Sequence, residues 1–73
     1  MDMDVTVKVK YGCSKSLFEP FGDRRYMVYL LSNEGDATAY EELMTIMSRK
    51  LGVPANRIEL RRDGGAIKVF QLS

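Results

Sequence analysis

Hydrophobic and polar residues alternate near the start of the chain. Val5, Val7 and Val9 are separated by Thr6, Lys8 and Lys10, the period of two that predicts a strand with one wet face. Gly12-Cys13-Ser14-Lys15-Ser16 then reads as a turn. Leu17, Phe18 and Phe21, grouped around Pro20 and Gly22, read as a loop whose large side chains either fold back onto the core or form a docking patch. A second strand is predicted from Arg24 to Leu31. Tyr26, Val28 and Leu30 occupy one of its faces, and Met27, Tyr29 and Leu31 the other. A strand apolar on both faces is either covered twice or leaves a sticky surface.

After a loop from Ser32 to Asp36 the period changes. Tyr40, Leu43, Met44, Met47 and Leu51 fall on one stripe of a helix predicted over about Ala39 to Leu51. Thr38 followed by Glu41 has the spacing of a capping box. Glu41 and Glu42 sit at the positive end of this helix, and Arg49 and Lys50 at its negative end, as the macrodipole favours. Gly52 and Pro54 stop it. A third strand is predicted over Arg57 to Arg61, a turn at Asp63-Gly64-Gly65, and a fourth strand from Ala66 to Leu72. The order strand, strand, helix, strand, strand predicts a two-layer α+β domain over residues 1–73. Its mixed four-stranded sheet has the order 2-1-4-3, with the first and last strands parallel in the middle and one helix on one face, a β-grasp-like arrangement.

Composition narrows the chemistry. The 73 residues include no histidine and one cysteine, Cys13, which removes histidine-based acid–base catalysis, the usual dyads and triads, and the commonest metal sets. Asp36, Glu59, Asp63, Lys68 and Cys13 have no mutual spacing that demands chemistry, so the chain reads as non-enzymatic, with no catalytic residue, metal or cofactor. Cys13 reads as a half-buried filler in a reducing, cytoplasmic compartment. No apolar run reaches the roughly 20 residues that span a bilayer, and the acidic start Met1-Asp2-Met3-Asp4 does not look like a secretory signal.

Net charge is +1, but the signs are segregated. Residues 19–42 carry six acidic and two basic groups, and residues 44–73 carry six basic and two acidic, enough to orient a partner. If Val7, Val9, Ile58, Leu60, Ile67 and Val69 face the helix, strand periodicity sends Lys8, Lys10, Arg57, Arg61, Lys68 and Phe70 to the open face, joined by Tyr26 or Tyr29. Cations interleaved with a ring suit weak binding of single-stranded nucleic acid. The excess of apolar surface at Leu17, Phe18, Phe21 and Tyr29 suits instead a protein-interaction module, with a protein partner or a homodimer formed through the second strand or the open sheet face.

Two resemblances bear on the fold. Val5 to Lys10 leading into Gly12-Cys13-Ser14-Lys15, with Gly22-Asp23, Met27-Val28-Tyr29-Leu30, Leu51-Gly52-Val53-Pro54 and Arg57-Ile58-Glu59-Leu60, resembles the small uncharacterised family typified by the bacterial YggU protein. That resemblance implies an α+β fold. It carries over no site, because Ala37-Thr38-Ala39-Tyr40 and the short Arg61–Lys68 hairpin depart from the family's pattern. Gly35-Asp36-Ala37-Thr38 before Glu41-Glu42-Leu43, with Asp63-Gly64-Gly65 ahead of the last strand, is similar to the ubiquitin-like sulfur carriers of the MoaD and ThiS type. Those need a C-terminal Gly-Gly, whereas this sequence ends Phe70-Gln71-Leu72-Ser73. The second resemblance therefore implies a ubiquitin-like fold without carrier activity.

Overall fold

The computed structural model describes residues 2–73. Five strands, β1 (Met3–Lys10), β2 (Leu17–Gly22), β3 (Arg25–Tyr29), β4 (Ile58–Gly64) and β5 (Ile67–Leu72), form one mixed sheet. It is crossed on one face by helix α1 (Ala39–Leu51), and a 3-10 turn at Ala55–Arg57 precedes β4. The α+β class with a single helix agrees with the sequence pattern; the details of the sheet do not.

The order is β2-β3-β1-β5-β4, five strands in place of four. The added strand is Leu17–Gly22, expected to be a loop because Pro20 and Gly22 interrupt it. It survives at the edge, where a proline's missing N–H costs no ladder bond, and it pairs antiparallel with β3 through a register shift between Pro20 and Gly22. This extra reversal also corrects the pairing directions. The chain turns back once more before β3, so β3 runs parallel to β1. Every later strand is then inverted relative to the expectation, and β5 lies antiparallel to β1. The β-grasp-like parallel pairing of the first and last strands is therefore not the one adopted.

Val5, Val7 and Val9 all point under the helix and meet Val28, Leu30, Ala39, Leu43, Met47, Ile58, Phe70 and Leu72 in one core. The helical stripe is rotated from the expected one. Ala39, Leu43 and Met47 are buried, Met44 and Leu51 flank them, and Tyr40 is half exposed. Gly52 ends the helix in the left-handed conformation (φ 69°), its N–H donating to the Ser48 carbonyl, the C′ role for which it was suited.

The start of the helix is built differently from the capping box. Thr38 makes no side-chain cap bond. Instead the Asp36 carboxylate accepts both the Thr38 N–H (3.0 Å) and the Thr38 hydroxyl (2.9 Å), a local side-chain turn. Glu42 rather than Glu41 reaches back, its two oxygens accepting the N–H groups of Leu31 (2.8 Å) and Ser32 (3.0 Å). Two carboxylates thus fix the path from β3 into α1.

Candidate functional site

The phase of β5 decides which side chains reach the open face. Val5 pairs with Phe70 and Val7 with Lys68, and directly opposed residues share a face. Lys68, Phe70 and Leu72 therefore point under the helix, while Ile67, Val69 and Gln71 point away. This reverses the expected assignment for Ile67 and Val69 and removes two members from the expected basic face. Phe70 is completely buried, and Lys68 is 8% exposed. Both phases offer two large apolar residues. The adopted one buries Phe70 and Leu72 and sends inward a lysine that has a partner, where the alternative would send Gln71. Arg57 also leaves the set, because it lies in the 3-10 turn outside the ladder.

The remaining members can be mapped row by row from the strand registers. Across the uncovered face from β2 towards β4, one row is Leu17, Tyr29 and Lys10. The next is Glu19, Met27, Lys8, Ile67 and Gly64. Then come Arg25, Thr6, Val69 and Arg62, and lastly Asp4, Gln71 and Glu59. Arg61, the extra residue at the register shift in β4, reaches the same face and donates to the Gln71 side-chain oxygen at 2.8 Å. Lys8, Lys10 and Arg61 thus stand where the sequence pattern put them, and Leu17, Phe21 and Tyr29 of the apolar group join them. Phe18 does not. It pairs with Val28 on the covered face and stacks on Tyr26, ring centroids 4.8 Å apart. Arg25, Met27 and Arg62 were missed. Their signal was present in the alternation of β3 and β4, but their face could be known only once the register was fixed.

This face is amphipathic. Phe21 and Ile67 are each 51% exposed and Leu17 46%. Among the described residues the ion pairs are Asp23–Arg24, Glu59–Arg61 and Asp63–Lys68, so Lys8, Lys10, Arg25 and Arg62 are without an acidic partner. Both sheet edges are blunted. β2 carries Pro20 and an irregular register, and β4 carries Arg61, Arg62 and Asp63 around its own register shift; such devices discourage strand addition.

A second constellation lies at the end of the sheet beside the start of α1. Tyr11, Asp36, Tyr40, Asp63 and Lys68 help line a pocket of about 200 Å³. The Lys68 ammonium donates to Asp63 at 2.6 Å, and Asp63 also accepts the Gly65 N–H. Burial pulls the Lys68 pKa down, but the hydrogen bond and charge of Asp63, with a smaller contribution from Tyr11, outweigh it and hold it above 10.5. The amine is therefore a fixed cation. The Lys68 hydrogen bond and the Gly65 N–H lower the Asp63 carboxyl below 3.8, and the Thr38 backbone and hydroxyl bonds do the same for Asp36. All three charges are occupied in holding the hairpin and the start of the helix. The Cys13 thiol, half buried as expected, faces the carbonyls of Lys10 and Tyr11. Among the described residues no group of three or more acidic or cysteine side chains is placed to hold a metal, and no helix is long and apolar enough to cross a membrane.

Compared with known proteins, the chain matches no family model, and no curated protein or solved structure is significantly similar to it.

Proposed function

We propose that this chain is a protein-interaction module that docks a partner on the uncovered face of its sheet. One observation carries the reading: half-exposed Leu17, Phe21 and Ile67 share that face with Lys8, Lys10, Arg25 and Arg62, which have no acidic partner among the described residues. Exposed apolar surface surrounded by polar groups is what binding buries, and the blunted edges favour the face over strand addition. A two-fold axis through the middle of this face would bring Lys8 against its own copy, so like charges oppose a homodimer centred there. The nucleic-acid alternative is weakened by the burial of Lys68 and Phe70, which removes one cation and one ring from the platform it requires.

Site-specific photo-cross-linking in cells tests the proposal. A photoreactive residue at Ile67, on the open face, is compared with one at Thr45, exposed on the helix. Protein adducts are expected from position 67 and not from position 45. Nuclease-sensitive adducts, adducts between copies of the chain, or equal labelling at both positions would overturn it.

A further inference from the structure

The open face is concave between Phe21 and Ile67, beside a larger and more polar hollow near Asp4 and Gln71. Thr6, Lys8, Phe21, Arg25 and Ile67 line a depression of about 280 Å³, a size that admits a single large side chain rather than a cofactor. Phe21 reaches it because the register shift between Pro20 and Gly22 leaves it as the unpaired residue of β2. Its ring and the Ile67 side chain, both about half exposed, form apolar walls. The polar part is cationic. Arg25 pairs with Thr6, and Lys8 pairs with Met27 two residues further along β3. The two charges are diagonal neighbours on adjacent parallel strands, about 8 Å apart at the backbone from the strand spacing and a two-residue rise. That spacing lets both flexible side chains converge on one carboxylate beside the depression. The face as a whole sets Lys8, Lys10, Arg25, Arg61 and Arg62 against Asp4, Glu19 and Glu59.

We infer that this depression is an anchor pocket for a short acidic segment of a partner protein. One large apolar side chain inserts between Phe21 and Ile67, and a neighbouring Asp or Glu is held by Lys8 and Arg25. The inference rests on the docking function proposed above and specifies the partner's chemistry. Apolar anchors in pockets supply most of the affinity of such contacts, and charge complementarity supplies orientation and selectivity.

Selection of displayed random peptides against the full chain tests it, with binding sites mapped by amide chemical shifts. Enriched peptides are expected to carry a large apolar residue within a few positions of Asp or Glu and to shift Thr6, Lys8, Arg25 and Ile67. Replacing their acidic residues by Asn or Gln, or making Lys8→Glu with Arg25→Glu, weakens binding about tenfold, the scale of one or two partly exposed ion pairs. Both substitutions are at exposed sites, and an unchanged amide spectrum shows that the variant folds. Peptides that bind the face without acidic preference, or an empty selection while position 67 still cross-links to protein, overturn the anchor pocket and leave the docking function standing. An empty selection with no protein adduct overturns both. Single-stranded DNA outcompeting every peptide at the same residues assigns the face to nucleic acid and overturns both as well.

Discussion

Lys68 is the residue where composition and position disagree most. A lysine in the last strand of a small domain is expected in water, yet this one is nearly enclosed and bonded to Asp63 at 2.6 Å. The partners are unequal: the Lys68 side chain is 10% exposed and that of Asp63 52%. Removing one member of a buried pair is costly because the other charge is stranded, so the cost depends on which is left. Asp63→Asn leaves an ammonium enclosed without a counter-charge, whereas Lys68→Met leaves a carboxylate that water can reach and replaces the amine with an apolar chain of similar length. Urea unfolding is expected to show Asp63→Asn as the more destabilising of the two, with the double substitution recovering most of the loss. Equal midpoints for the single variants would mean that the pair is no more than a surface ion pair.

The link from β3 to α1 shows how an element is held by side chains distant in sequence. Thr38 and Glu41 have the right spacing for a capping box, yet Asp36 accepts the local donors and Glu42 clasps Leu31 and Ser32. A carboxylate on the helix thereby fixes the turn that follows β3, ten and eleven residues earlier. Glu42→Ala is expected to cost about 1–2 kcal/mol, the worth of hydrogen bonds to a charged group at a partly exposed site, and Glu41→Ala a few tenths at most. Thermal unfolding of the two variants compares them, and equal losses would disprove the clasp. The same clasp holds the exposed side chain of Leu31 (55% exposed) outside the core, which the two-sided apolar pattern of the predicted second strand could not decide.

Over the whole molecule the charges predict a flat stability profile near neutrality and a decline at either extreme. Burial opposes ionisation of Glu42, but the bonds from Leu31 and Ser32 outweigh it and lower its pKa below 4.5; Asp36 and Asp63 are held below 3.8. Groups lowered on folding contribute stability above their unfolded pKa and lose it as pH falls through the folded value. Lys68, raised above 10.5, contributes fully below that value and loses it as pH rises through the folded one. With no histidine in the chain, the melting temperature is expected to be level from about pH 6 to 8 and to drop in acid below pH 4.5. Glu42→Ala should shrink the acid decline, and an unaltered one would assign it to other carboxylates.

By itself the sequence determined the helix over Ala39–Leu51, the strand character of Val5 to Val9, the existence of a glycine-turned hairpin between the last two strands and the α+β class, although the turn falls at Gly65-Ala66 because β4 runs on through Asp63 and Gly64. Each rests on local periodicity or on a turn residue whose conformational preference needs no partner. Only the tertiary structure decided the rest. The strand at Leu17–Gly22 is hidden locally by Pro20 and stabilised by its place beside β3, and by adding one reversal it set the direction of everything after it. The inward phase of Phe70 and Lys68 was equally out of reach. A one-residue change of phase exchanges the two faces of a strand, and β5 is apolar enough on both for its own pattern to permit either. The candidate site inherits that division. Lys8 and Lys10 were legible from their alternation with valine, whereas Arg25 and the Phe21–Ile67 depression exist as a site only because register and the β2 irregularity bring four strands together.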